Sequence, residues 1–322
     1  MPSLPILNSQ YPQQPQPSEP MLPSLVLGTA QWGWNVSRHE AFQLLDHWLK
    51  AGYRRIDAAT NYPINKNPED FRAAEKILHE YVHAHGLQDL HITMKVGSLD
   101  NMRTPDVNLS PSFLMMMADE YCRLLGSNLR CMMLHWDNRS DEAAIRETLE
   151  ALVTVKKDHG VDPGLSGIAH PEAYAVVNEG LELSFDIQLK NNVLQSDLPR
   201  YAPLESQRLH RFFAYGINAG GVKIDGVYPE RSTLLQRGGD PEKAEATLQR
   251  IRTLLPKLNT DFVRPPVKTM NHIGLLYTAL HPAFSGILLG VSSMAQLRET
   301  LDFWRNLEVF DYTDMWAALR KI

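Results

Sequence analysis

The chain has 322 residues, of which 43% are hydrophobic and 21% are charged, and its formal net charge is −5. This composition is typical of a globular protein, and the negative charge argues against a nucleic-acid-binding surface. No apolar run approaches the roughly 18 residues that a membrane-spanning helix needs. Of the two cysteines, Cys122 and Cys131, the second lies in an apolar run, which favours a buried thiol over a disulfide. We therefore expect a cytoplasmic protein with neither nucleic acid nor a membrane as its partner.

The first 23 residues differ from the rest of the chain. They contain seven prolines and several Gln and Ser residues, and they lack the basic and apolar segments of a secretory signal. We expect a flexible proline-rich arm over residues 1–23 and a single domain over residues 24–322.

From residue 24 onward, strand patterns alternate with amphipathic helix patterns. Ser37 and Glu40 have the spacing of a capping box at the start of the first helix. Further helices are predicted over residues 70–85, 141–157, 240–258, 266–281 and 312–319. Eight strands are predicted, over residues 24–29, 54–58, 91–96, 129–135, 164–169, 185–189, 212–216 and 286–290.

This alternation predicts an α/β fold, a single eight-stranded β/α (TIM) barrel. An open doubly wound sheet is the alternative. Against it, no Gly-x-Gly-x-x-Gly sequence follows an early strand, so the dinucleotide-binding signature of that fold is absent.

Four side chains suited to proton chemistry lie at or just past the carboxyl ends of strands two, three and four. They are Asp57, Tyr62, Lys95 and His135. These strands are neighbours in a barrel, and catalytic groups of this fold lie at that rim. An ammonium group lowers the pKa of an adjacent tyrosine, and an aspartate keeps the ammonium charged. A neutral histidine can donate a hydrogen bond to a carbonyl oxygen, so the four residues predict carbonyl chemistry.

The chain resembles the aldo-keto reductase family from about residue 24 to residue 303. The resemblance rests on residues 27–29, residues 52–57 with Ala59 and Tyr62, Lys95-Val96, Leu134-His135-Trp136, Gln188 with Asn192 and Leu194, and residues 289–299. It implies a barrel that binds NADP(H), with NAD(H) as the other possibility, and that reduces an aldehyde or ketone or oxidises the corresponding alcohol. In this resemblance Tyr62 is the proton donor, Lys95 and Asp57 tune it, and His135 orients the substrate carbonyl.

The resemblance also implies a cofactor site. Gln188 and Tyr215 would contact the nicotinamide, and the glycine-rich residues 216–221 would let backbone N–H groups approach the pyrophosphate. The full set implied for the cofactor is Gly28, Thr29, His170, Gln188, Tyr215, Gly216, Asn218, Gly220, Lys223, Arg231, Gly290, Ser292, Ser293, Gln296 and Glu299.

Two of the departures from the family pattern concern the nicotinamide and the 2′-phosphate. The family usually has Ser-Asn after the fifth strand to hold the carboxamide, and we align Ala169-His170 there, so His170 is predicted to replace that contact. Gln296 stands where the family usually has a cation for the 2′-phosphate, so Lys223, Arg231 or Arg298 would supply the charge.

Other interpretations stay open at this level. Trp32, Trp34 and Trp136 lie in rim loops and are predicted to wall a substrate pocket, and no cluster has metal-ligand spacing. A nicotinamide-binding regulatory or interaction protein with little turnover is one alternative function. A lyase or aldolase in which Lys95 forms a Schiff base is another.

Loop residues 97–110, 138–141 and 222–239 would determine substrate specificity. Four cations in them are candidates to accept an anionic substrate, or are only solvated. They are Arg103, Arg139, Lys223 and Arg231.

Overall fold

Parallel strands form the centre of the structure, a computed structural model that describes residues 22–228, 232–236, 239–260 and 263–322. The strands are β1 (Ser24–Gly28), β2 (Arg55–Ala59), β3 (His91–Val96), β4 (Leu129–His135), β5 (Asp162–Ser166), β6 (Asp186–Asn192), β7 (Gln195–Ser196), β8 (Arg211–Tyr215) and β9 (Phe284–Leu289). Residues 1–21 lie outside the described residues, so the arm stays a prediction.

Eight of these nine strands close into a barrel. Their order is β1-β2-β3-β4-β5-β6-β8-β9, with β9 paired to β1, and every pairing in this ring is parallel. The short strand β7 pairs only with the end of β6, in antiparallel orientation. The predicted TIM barrel is confirmed, and the open sheet is excluded because β5 and β6 complete the ring.

Helices surround the barrel. They are α1 (Arg38–Lys50), α2 (Ala73–His85), α3 (Pro111–Leu125), α4 (Glu142–His159), α5 (Pro171–Asn178), α6 (Ala202–Ser206), α7 (Thr233–Gln236), α8 (Glu245–Thr260), α9 (Met270–Ala279), α10 (Met294–Val309) and α11 (Thr313–Leu319). The capping box of α1 is present, since Ser37 Oγ accepts from Glu40 N and Glu40 Oε2 accepts from Ser37 N at 2.8 Å. Within the described ranges, no helix has the length and apolar character required to cross a membrane.

Strand β5 differs from its prediction in a way that affects the site. It covers Asp162–Ser166, whereas the sequence pattern predicted residues 164–169. Its first residues, Asp162-Pro163-Gly164, are poor strand formers, and this is why the pattern misplaced it. The strand therefore ends at Ser166, and Ala169-His170 lies beyond it at the start of α5.

The barrel interior changes from apolar to polar towards the carboxyl ends of the strands. Val26, Phe213 and Leu288 pack together inside the barrel. Gly286 makes room for this packing, because a Cβ there would lie 2.1 Å from Phe213 Cδ1. Gly28 and Tyr215, two residues beyond Val26 and Phe213 on the same strands, face the same side at the carboxyl rim. The layer of side chains above the apolar one therefore lies at the bottom of an open cavity.

Candidate active site

The carboxyl ends of the barrel strands surround a cavity of about 1140 Å³. All eight barrel strands or the loops that follow them contribute lining residues, including Gly28, Asp57, Lys95, His135 and Ser166. This is the end of the barrel at which side chains from different strands can meet around one bound molecule.

At the bottom of the cavity, Asp57, Lys95 and Gln188 form a buried hydrogen-bonded group. Asp57 and Lys95 are each 1% exposed. Lys95 Nζ donates a short hydrogen bond to Asp57 Oδ2 and a longer one, 3.2 Å, to Gln188 Oε1. Gln188 Nε2 donates to Asp57 Oδ1 at 2.6 Å. Because β6 lies opposite β2 in the ring, this group spans the barrel.

Tyr62 completes the surroundings of the ammonium. Lys95 Nζ donates to Asp57 and Gln188 and lies 4.8 Å from the centroid of the Tyr62 ring, whose hydroxyl also interacts with the ammonium. Burial lowers the pKa of Lys95, but the Asp57 carboxylate and the Tyr62 hydroxyl outweigh it and raise that pKa above its ordinary value. Lys95 is therefore a cation throughout the physiological pH range.

His135 lies beside this group and is neutral. Its ring centroid is 6.0 Å from that of Tyr62, with the rings nearly perpendicular. Burial, together with the charge of Lys95, holds the pKa of His135 well below its ordinary value. Its Nδ1 is buried without a hydrogen-bond partner in the described part of the chain. The arrangement thus places a neutral imidazole and a phenol on the same cavity.

Trp136 follows His135 and is held in an unusual backbone conformation. Its φ is +63°, in the left-handed region that a bulky residue rarely adopts. Its indole packs over Gly167, where an added Cβ would lie 2.5 Å from Trp136 Cδ1. The next residue, Asp137, is fully buried and accepts hydrogen bonds from Arg139 and Tyr174. These contacts fix Trp136 in place as part of the cavity wall.

Most of the residues predicted for the cofactor lie on this same cavity. Those that line it are Gly28, Gln188, Tyr215, Gly216, Asn218, Gly220, Lys223, Gly290, Ser292, Gln296 and Glu299. Asn218 Oδ1 is buried and lacks a hydrogen-bond partner among the described residues. An acceptor left unpaired in this way is suited to a donor from a bound molecule.

Other predicted residues lie off the cavity. Thr29 N and Oγ1 both donate to Asp57 O, which ties β1 to β2. Ser293 caps α10 by accepting from Gln296 N. The His170 side chain is 40% exposed, with its Nδ1 3.0 Å from Glu172 Oε1. Arg231 lies outside the described residues.

Of the three tryptophans predicted to wall a substrate pocket, one lies on the cavity. Trp136 lines the cavity, whereas Trp32 is fully buried in the hydrophobic core and Trp34 is not a lining residue. An aromatic residue in a rim loop can face either the core or the pocket, and the sequence does not distinguish these two cases.

Several lining residues were not found from the sequence. Ser166 stands in register with Gln188 on β6 and with His135 on β4, and it is buried. Lys268 and Asn271 reach the cavity from the start of α9. Ser166 is a strand-end residue and would have been found if β5 had been placed correctly.

Comparisons with known proteins agree with this geometry. The sequence profile of the Aldo/keto reductase family matches residues 24–321. Among solved structures, the chain is similar to the aldo-keto reductase AKR11C1 from Bacillus halodurans in its holo form. That likeness has a TM-score of 0.65 at 18% identity and covers 93% of this chain and 92% of the other. No curated protein matches the sequence.

Proposed function

Because the chain belongs to the aldo/keto reductase family, we propose that it reduces an aldehyde or ketone with NADP(H), or oxidises the corresponding alcohol. The observation that carries this proposal is the buried group in which Lys95 is bonded to Asp57, Gln188 and Tyr62 at the bottom of one cavity. The family implies nicotinamide-dependent carbonyl oxidoreduction. The roles of individual residues and the preferred cofactor are our proposal.

Tyr62 is proposed as the general acid that protonates the carbonyl oxygen. Loss of its proton leaves a phenolate, and the Lys95 ammonium stabilises that charge at hydrogen-bond distance. Asp57 and Gln188 hold the ammonium in place from the other side. His135, kept neutral by burial and by Lys95, donates a hydrogen bond that orients the carbonyl oxygen.

The cavity has the donors and acceptors that a nicotinamide dinucleotide needs. A bound nicotinamide would supply hydride to the carbonyl carbon. Ser166 and Asn218 offer a hydroxyl and an unpaired acceptor to it, and Tyr215 offers a ring. Burial raises the pKa of Tyr215 to about 12, so this ring stays neutral.

Positive charge around the cavity supports NADP(H) as the preferred form. Lys223 and Lys268 both line it, whereas Arg298 does not. Gln296, at the position where the family usually has a cation, is engaged with Ser292, whose N–H donates to Gln296 Oε1 at 2.9 Å. We therefore propose that the two lysines supply the positive charge that binds the 2′-phosphate.

The Schiff-base alternative is disfavoured by the state of Lys95. A nucleophilic lysine must be deprotonated, which requires a lowered pKa. Here Asp57 and Tyr62 outweigh the effect of burial and raise that pKa, and the ammonium donates to both Asp57 and Gln188. The regulatory alternative is tested by turnover, because a binding protein would retain the cofactor without oxidising it repeatedly.

The test combines binding with a single hydroxyl deletion. We expect NADPH to quench the tryptophan emission with a Kd of about 1 μM or tighter, and absence of binding at about 100 μM would refute the proposal. Tyr62→Phe should leave that Kd within a few-fold and lower the turnover of an aldehyde panel by about 10² to 10⁴. Tyr277→Phe is the matched control, because Tyr277 lies on α9 away from the cavity lining. Equal loss in both variants would contradict the role of Tyr62.

A further inference from the structure

The four loop cations that the sequence suggested for an anionic substrate have different surroundings in the structure. Arg139 donates to Asp137 through Nε and Nη2, at 2.9 and 2.8 Å, and is not a lining residue. Lys223 lies after β8 beside the residues proposed for the cofactor, and Arg231 lies outside the described residues. Arg103 is the described cation of this group that lines the cavity from the loop after β3.

Arg103 is presented by a well-connected loop. Ser98 and Val107 form an antiparallel bridge at its base. Near its tip, the Asp100 carboxylate accepts a hydrogen bond from Met102 N at 2.7 Å, and it also binds the Thr104 hydroxyl. The loop therefore has a defined shape at the mouth of the cavity.

A second contact ties this loop to the chain that carries Tyr62. Asn101 is fully buried, and its Nδ2 donates to Asn67 O at 2.6 Å. Arg103 itself has a φ of +67°, a left-handed conformation that costs energy outside glycine. Such strain is retained where neighbouring contacts fix the backbone, as the bonds of Asp100 and Asn101 do here.

The guanidinium of Arg103 has no acidic partner in the part of the chain that the structure describes. Among the described residues no carboxylate lies within 4.0 Å of it, and its hydrogen bond is a long one, from Nη2 to Ile64 O at 3.4 Å. Ile64 also lines the cavity and follows Tyr62 by two residues. The charge of Arg103 thus lies on the same side of the cavity mouth as Tyr62. The loop after β3, which carries Arg103, is opposite the loop after β8, which carries residues proposed for the cofactor.

We propose that Arg103 binds an anionic group of the substrate, so that the preferred substrates are carbonyl compounds bearing a carboxylate or a phosphate. An arginine fork can hold either group through two parallel hydrogen bonds. The position next to Ile64 puts that contact on the side of the proposed acid, away from the residues assigned to the cofactor. This inference rests on the proposed function.

The experiment compares matched substrates in the full-length protein. 4-Carboxybenzaldehyde is paired with methyl 4-formylbenzoate, and glyceraldehyde 3-phosphate is paired with glyceraldehyde. We expect the anionic member of at least one pair to have the higher kcat/KM, and the pair that shows this identifies the anion. Arg103→Gln should lower kcat/KM for that anion by about tenfold to a hundredfold, the worth of a charged hydrogen bond, and change its neutral partner less than about threefold.

Two further variants keep the test decisive. Arg103→Lys retains the charge without the fork, so we expect an intermediate loss, and it serves as the measurement if the Gln variant does not fold. Arg123→Gln removes an exposed charge from α3 off the cavity and should leave both substrates unchanged. Equal rates for anionic and neutral members, or equal loss for both in Arg103→Gln, would overturn the inference while NADPH oxidation with neutral aldehydes keeps the proposed function. Failure of NADPH to bind would overturn the function itself.

Discussion

Lys95→Met tests the buried ionic group most directly. The methionine keeps nearly the volume of the lysine stem and removes its charge, so the Asp57 carboxylate loses its cation at a position that is 1% exposed. Its remaining side-chain donor among the described residues is Gln188 Nε2 at 2.6 Å. Breaking a buried pair in this way should lower the free energy of unfolding by about 3 to 5 kcal/mol. Urea unfolding at pH 7 measures this loss.

An exposed lysine in the same chain provides the control. Lys156 Nζ lies 3.2 Å from Asp162 Oδ1, but the two side chains are 44% and 49% exposed. Lys156→Met should therefore cost less than about 1 kcal/mol, because water already solvates both charges. A similar loss in both lysine variants would mean that burial of the Asp57–Lys95 pair has no special energetic weight.

The double variant Asp57→Asn/Lys95→Met separates charge from shape. It removes both charges at once. Its loss in the free energy of unfolding should therefore be smaller, by at least about 2 kcal/mol, than the sum of the losses of Asp57→Asn alone and Lys95→Met alone. Additivity within about 0.5 kcal/mol would refute the reasoning, because uncoupled residues behave in that way. Turnover should nevertheless stay low in Lys95→Met, in Asp57→Asn and in the double variant, since each removes the ammonium or its support from Tyr62.

Two other predictions concern the proposed nicotinamide site and a buried histidine. Ser166→Ala should weaken nicotinamide binding about tenfold through one lost hydrogen bond, and His170→Ala should not, as a fluorescence titration would show; the reverse result would favour His170. Burial lowers the pKa of His210 to about 4, with its Nδ1 accepting from Phe185 N. In the unfolded chain the His210 imidazole takes up a proton as the pH falls below about 6.5, whereas in the folded chain it stays neutral down to about pH 4. The free energy of unfolding therefore decreases between pH 6.5 and about 4. His210→Asn keeps an acceptor and should reduce the loss between pH 7 and pH 5 by about 1 kcal/mol, after discounting for partial exposure; an unchanged pH dependence would contradict the assignment.

The barrel was predictable because its strand signals are local. Apolar strands and amphipathic helices alternate along the chain, and the capping box at Ser37 and Glu40 appears in the structure as predicted. Strand β5 was misplaced because Pro163 and Gly164 weaken the strand pattern at its start. A three-residue error at its end placed Ala169-His170, and not Ser166, at the carboxyl end of the strand.

The polar residues at the strand ends were found for a geometric reason. Parallel strands deliver their last inward side chains to one rim, so Asp57 and Lys95 could be placed together from sequence alone. Lys268 and Asn271 precede or begin a helix, where polar residues are ordinary, and nothing local distinguishes them. Trp32 is buried in the core, and its sequence does not show this because the side of a rim loop that faces the core depends on packing between distant elements.

The energetics of the barrel interior explain why its polar layer indicates function. Val26, Phe213 and Leu288 show that an apolar layer fits inside this barrel. Replacing the layer above by apolar side chains would avoid the cost of burying charge, and for ion pairs such replacement is often neutral or stabilising. The chain instead places a fully bonded cation there, with Asp57, Gln188 and Tyr62 around it. Stability alone gives no reason for that choice. The proposed role of Tyr62 does, because a tyrosine that gives up its proton becomes negatively charged and is stabilised by a cation beside it.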